Sequence, residues 1–156
     1  MGGVYVSAKS DYALRAALTL AAADGPMTAD AIAAAQALPP GFLDRILGDL
    51  RTAGLLSSQR GSSGGWRLAR PAAELTVGDV MRAVDGPLAQ VHGLLPEHTE
   101  YRGAAVHLQT LWVAMRASLR AVLDRLTLAD LAAGRFPDDV RRLLDDPEAW
   151  RARRRP

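Results

Sequence analysis

The sequence predicts a mainly α fold with a small β-hairpin: a winged helix-turn-helix domain followed by a long dimerisation helix. Three observations predict it. In the first 86 residues the patterns run helix, helix, helix, hairpin, helix. A tight "LPPG" turn joins the second helix to the third. Further on, Leu108, Trp112, Met115, Leu119, Val122 and Leu126 are spaced four, three, four, three, four. That is a heptad seam, which packs against another helix.

The first helix is expected over 9–23, with Leu14, Ala17, Leu18 and Ala21 on one face. "DGPMT" breaks it. Thr28 caps a second, short helix that runs to about residue 37, and Asp30 suits the positive end of its dipole. Proline is tolerated at a helix start, so "LPPG" leads into a third helix over 41–53. Phe42, Leu43, Ile46, Leu47 and Leu50 form its apolar stripe. Asp44, Arg45, Gly48, Asp49, Arg51 and Thr52 lie on the other side, and Gly54 suits a left-handed helix end.

The stretch "SSQRGSSGGWRLAR" over 57–70 admits three readings. A phosphate-binding P-loop fails, because no lysine follows the glycines and no helix comes next. A flexible linker is open on composition. A hairpin fits better, because both arms, 55–59 and 66–69, carry strand residues and the glycines supply a tight turn. "TVGDVMRAVDG" then reads as a helix capped by Thr76 and Asp79 and ended by Gly86. The same device recurs at Thr127, Asp130 and Gly134 as repeated capping chemistry, not as a duplication.

A loop over 87–103 leads to the long helix, expected over 104–126. Its seam could be met within the chain or by a second copy. The other helices are short, which favours a second copy. The tail "PDDVRRLLDDPE" holds five acids against two arginines, and "RARRRP" adds four arginines. Both are expected to be solvated and frayed.

Of 19 basic residues, Lys9 is the single lysine. Arginine suits bidentate contact with phosphate and guanine, although composition bias alone also yields arginine and alanine. From residue 38 to residue 70 there are five arginines and two aspartates, a local charge of 5 − 2 = +3. In a winged helix-turn-helix the third helix enters the major groove and the wing reaches the backbone or minor groove. The absence of cysteine excludes disulfides, thiolate metal sites and cysteine nucleophiles. No nucleophile–base pair, paired carboxylates or metal motif emerges, so the chain is expected not to be an enzyme. With no signal peptide or membrane span, a cytoplasmic protein is expected.

"SDYALRAALTLA", "AGLLSSQRGSSGGWRLAR" and "TVGDVMRAVDG" resemble the Rrf-two (Rrf2) family of bacterial transcription regulators, the IscR, NsrR and CymR type, over about 7–134. The resemblance implies a homodimer that presents two winged domains to a palindromic operator in double-stranded DNA. It places Pro40, Gly41, Asp44 and Arg45 at positions facing bases or phosphates. Phe42, Leu43 and Ile46 fall on core positions. Arg60 and Gly61 fall at the wing tip, preceded by Ser57 and Ser58. Thr28 could cap its helix and touch a phosphate. The heptad residues Leu108, Trp112, Met115, Leu119, Val122 and Leu126 fall on the dimerisation helix.

Many relatives hold an iron–sulfur cluster on three cysteines before the long helix. This chain has none there, so a cysteine-ligated cluster is chemically unavailable and no cofactor is expected. Asp11 matches a carboxylate ligand of one branch and Gln109 replaces a histidine ligand of another. Asp11 is expected to cap or orient the first helix. His92, Glu97 and His98 match no metal motif, and Tyr101 and Trp112 could line an effector pocket or pack in a dimer core.

The expected domains are 1–86 for DNA binding, 87–103 as connection, 104–136 for dimerisation and 137–156 as a C-terminal extension. The expected function is a homodimeric, sequence-specific regulator, a repressor without an iron–sulfur cluster, answering to a small molecule or a partner protein. The alternative is a winged-helix module for protein interaction without an operator of its own.

Overall fold

The structure, a computed structural model, describes residues 6–153. Arg154, Arg155 and Pro156, the end of the basic tip, lie outside the described residues. The elements in order are α1 (Ala8–Ala22), α2 (Ala29–Gln36), α3 (Pro40–Thr52), β1 (Leu56–Gln59), β2 (Gly65–Leu68), α4 (Val77–Asp85), α5 (Leu108–Leu123), α6 (Leu128–Ala132) and α7 (Asp138–Leu144). Short 3-10 turns sit between several of them.

One core organises the head. Ala13 and Ala16 of α1, Ile32 of α2, Leu43 and Leu47 of α3 and Leu128 of α6 are all fully buried together. Small alanines on α1 let α2, α3, α4 and α6 approach it closely. Removing such apolar surface from water is the main favourable term of folding. Ser7 caps α1 by accepting from the Ser10 N–H, and Asp85 at the end of α4 accepts from the hydroxyls of Ser7 and Ser10. Asp11 is therefore not the cap. It pairs with Arg15 at 3.3 Å, one turn along α1.

The turn between α2 and α3 is tight. Ala37 takes the left-handed conformation (φ 51°), and the Leu38 N–H reaches back to the Ala33 carbonyl at 2.9 Å. Leu38 is buried and anchors the turn. α3 ends in a Schellman turn: the Leu55 N–H bonds the Leu50 carbonyl and the Gly54 N–H bonds the Arg51 carbonyl, both at 2.9 Å.

β1 and β2 pair antiparallel, with Ser58 opposite Trp66 and Gln59 opposite Gly65. The segment before α2 joins them, as Met27 and Trp66 exchange hydrogen bonds at 3.0 and 2.7 Å. This leaves no room at Gly65, where a Cβ would lie 2.6 Å from the Met27 carbonyl oxygen. The hairpin is thus bolted to the head at its base while its tip, 60–63, stays exposed.

The two capping boxes lie side by side. Thr76 and Thr127 form a bridge, with Val77 donating to Leu126 at 2.9 Å and Leu128 donating to Leu75 at 2.8 Å. This ties α6 to the base of α4 and returns the chain to the head.

Four expectations need correction. The long helix does not start at residue 104: a 3-10 turn at Gly103–Ala105 precedes it, because Gly103 takes a positive φ of 59°. It also stops at Leu123, so Leu126 leaves the seam. That side chain is 6% exposed and packs with Val77 and Val140 of its own chain. The acidic part of the tail is not frayed but forms α7, with aspartates in its first turn and arginines in its last, matching the helix dipole. Phe42, expected in the core, is 66% exposed, since it sits at the edge of the α3 stripe in the first turn.

Candidate nucleic-acid interface

The last turn of α3 packs against the hairpin strands, through Arg51 with Ser58 and Trp66. Leu43, Ile46, Leu47 and Leu50 are buried, which fixes the opposite face of α3 outward. Pro40, Gly41, Asp44 and Arg45 are all exposed on it. Asp44 and Arg45 make no ion pair with each other or with any other described residue, although they are adjacent in sequence.

The start of α3 is open. Pro39 occupies its cap position with no side-chain hydrogen bond, and no acid lies in the first turn. The N–H groups of the first turn have no partner within the helix and carry the positive end of its dipole. Thr28 is exposed at the start of α2, where its hydroxyl accepts from the Ala31 N–H at 3.2 Å. Capping thus occupies one lone pair of Thr28 and leaves its hydroxyl proton free to donate.

The wing is positioned by a residue the sequence reading did not single out as a site. Arg51, in the last turn of α3, donates to the Ser58 hydroxyl at 3.2 Å and stacks over the Trp66 ring at 5.5 Å. It holds the hairpin against α3. Sequence spacing carries no signal for it, because Ser58 and Trp66 reach Arg51 only once the hairpin folds back on α3. Arg67 donates to Gln59 at 2.8 Å across the strands. Beyond Gln59, Arg60 and Gly61 are exposed, with Gly61 at φ 109°. Arg60 has no hydrogen-bond or ion-pair partner among the described residues, and Ser57 is half-buried on β1.

The arginines of α3 and the hairpin segment carry no carboxylate partner, a condition that Arg102, Arg120 and Arg142 elsewhere share among the described residues. Among the described residues, none of Arg45, Arg51, Arg60, Arg67 and Arg70 forms an ion pair. Asp49, one of the two acids in the same stretch, lies 3.5 Å from Lys9, which also donates to the Val84 carbonyl at 2.9 Å. The five guanidinium groups therefore face solvent or neutral partners.

The rod side is different. Leu108, Trp112, Met115, Leu119 and Val122 are half-buried, and α5 has no fully buried residue. The loop before it packs on that face. Gln109 donates to the carbonyls of Glu97 and Thr99 at 3.0 and 2.8 Å, and Trp112 Nε1 donates to the Tyr101 hydroxyl at 2.9 Å. Arg116 is bound to Glu97 at 2.6 Å. A hydrogen bond from its own backbone N–H, then the Arg116 guanidinium, hold the Glu97 carboxyl below its usual range. Arg82 spans Asp79 at 3.2 Å and Asp124 at 2.7 Å, joining α4 to the end of α5.

Residues 6–134 match the family model described as "Rrf2: Iron-dependent Transcriptional regulator". The chain is 46% identical over 151 residues to the "Putative HTH-type transcriptional regulator Rv1287" of Mycobacterium tuberculosis, covering 96% of this chain and 94% of that one. It is 34% identical over 130 residues to the HTH-type transcriptional regulator CymR of Bacillus subtilis, covering 82% and 89%. The solved CymR of B. subtilis superposes with a TM-score of 0.70 at 33% identity, covering 84% of this chain and 98% of that one. IscR of T. potens gives 0.67 at 30% identity, covering 97% and 95%.

The residues present do not fit the iron that the matched description names. There is no cysteine, and the described residues bring no three histidine, aspartate or glutamate side chains together. His92, His98 and His107 are exposed, and Glu97 is held by Arg116.

Proposed function

Because this chain belongs to the Rrf2 family of transcriptional regulators, we propose that it is a homodimeric, sequence-specific DNA-binding repressor whose signal does not pass through an iron–sulfur cluster. α3 enters the major groove, with Pro40, Gly41, Asp44 and Arg45 toward bases and phosphates. Arg45 suits guanine, and Asp44 suits a cytosine amino group. Ser57, Ser58, Arg60 and Gly61 bring the wing to the backbone or the narrow minor groove, where the potential is most negative. Thr28 donates to a phosphate.

The observation that carries this reading is the placement of five arginines on α3 and the hairpin segment over 38–70, none with an ion pair among the described residues, together with the open N-terminus of α3. Cations left without carboxylates are available to neutralise phosphates and release counterions.

Two heads come together through α5. Its helix carries many apolar residues and buries none completely, and Leu111 and Val113 remain 53% and 37% exposed. Pairing two copies there completes the helix's apolar contacts and sets two half-sites on a palindromic operator. A small molecule or a partner protein regulates binding by favouring one dimer geometry over another.

Fluorescence anisotropy with the DNA upstream of its own gene tests this. Binding should weaken steeply with salt, and Arg60→Ala should cost about 1–3 kcal/mol of affinity with the melting temperature unchanged. No loss on Arg60→Ala would remove the wing from the interface. Salt-independent binding, or none, would favour a protein-interaction module instead.

A further inference from the structure

On α3, Phe42 is a large apolar side chain that is 66% exposed. It is the third residue of α3, directly after Pro40 and Gly41, and its neighbours Pro39, Pro40 and Gly41 are exposed too. It is absent from the head core and from the half-buried residues packed against that core. The four residues that seat α3 are Leu43, Ile46, Leu47 and Leu50, so the fold does not use the Phe42 ring. Leaving such a ring in water forgoes about 1.5–3 kcal/mol of burial. In a helix-turn-helix the N-terminal residues of the recognition helix contact base edges, and Phe42 lies in the first turn of α3.

Resting on the DNA-binding reading above, we infer that Phe42 is a specificity-determining residue that reads a thymine through its C5-methyl group. The argument is chemical. A phenyl ring offers no hydrogen-bond donor or acceptor to a base edge. The four base pairs present one apolar group in the major groove, the thymine methyl. A ring at the leading turn of α3 can therefore distinguish bases there only by covering that methyl or by failing to. Arg45 lies three residues on, one turn along the same side of the helix, about 4.5 Å further along the axis. Base pairs stack about 3.4 Å apart, so the thymine lies about one base pair from the base that Arg45 meets.

The test uses the full chain and duplexes selected from a random pool by repeated binding and amplification. Each thymine of the selected site is replaced in turn by uracil, which deletes only the methyl. Anisotropy titrations compare the unmodified protein, Phe42→Ala and Phe42→Leu, with circular dichroism to confirm folding. One thymine in each half-site should weaken the unmodified protein about fourfold when changed to uracil, the size of one lost buried methyl. Phe42→Ala should bind thymine and uracil duplexes alike, and Phe42→Leu should keep part of the preference.

Equal sensitivity of all three proteins at every position would overturn the inference and place the ring on the sugar–phosphate backbone. So would unchanged affinity and sequence preference in Phe42→Ala. If the unmodified protein enriches no duplex, the DNA reading itself fails and takes this inference with it.

Discussion

Among the described residues Arg45, Arg51, Arg60, Arg67 and Arg70 hold no ion pair, whereas Arg82, Arg116 and Arg125 lie 2.7, 2.6 and 3.3 Å from carboxylates. The two sets belong to one arginine-rich chain with a single lysine. Composition makes them look alike. Their partners differ: Arg82, Arg116 and Arg125 stitch the loop, α4, α5 and α7 together, while the five over 38–70 meet neutral groups or solvent, as Arg102, Arg120 and Arg142 also do among the described residues. Neither arginine abundance nor the lack of a carboxylate partner carries a functional message by itself; placement on a helix-turn-helix and its wing does. The same division runs through the helices. α3 buries four residues and turns its polar face outward, while α5 buries none.

The comparison can be broken at its scaffold first. Leu47 is fully buried in the head core. Leu47→Ala should lower stability by about 2–5 kcal/mol, through lost transfer energy and the cavity left behind. Thermal unfolding followed by circular dichroism should show the drop, and DNA affinity should fall with the folded fraction. A variant that kept its melting temperature would show that α3 is not held as described.

Arg82→Ala sharpens the contrast with Arg60. Arg82 bridges two acids while a third of its side chain is exposed, so solvent screening limits the loss to about 1 kcal/mol. Urea unfolding should register that loss, and anisotropy should show DNA affinity preserved. The reverse result, unaltered stability with weakened DNA binding, would erase the distinction between the two sets.

The smallest effect is acidic. Burial works against the charged form of Asp79, but hydrogen bonds from the Thr76 N–H and hydroxyl, with help from Arg82, outweigh it and hold its pKa below the usual value. A lowered folded pKa stabilises the protein above the ordinary carboxylate pKa, and this is lost as pH falls through the folded value. Urea midpoints of the unmodified protein and Asp79→Ala should differ by about 1 kcal/mol or less near neutrality, and the gap should close below about pH 4. A constant gap would show that the carboxylate's charge plays no part in the cap.

Much of the head was legible because its signals are local. The α3 stripe, the capping pair Thr76 and Asp79 and the glycines of the wing each fix their own conformation within a few residues. Phe42 was misplaced because the stripe's edge is ambiguous in a first turn, where nothing packs above the helix. Leu126 looked like a seam residue because spacing ignores caps, yet Thr127 starts a new helix and Leu126 turns inward. α7 was hidden by its charge: only Val140 of its seven residues is buried. Arg51 could not be found from spacing, since its partners Ser58 and Trp66 come together only when the hairpin folds back on α3.

The central claim is that one chain completes a DNA-reading head but needs a second chain to complete its α5 rod. Native mass spectrometry of the protein with a selected palindromic duplex tests it directly. The account predicts a protein dimer when free and two chains on each duplex when bound. A monomer that occupies the whole duplex alone would contradict it.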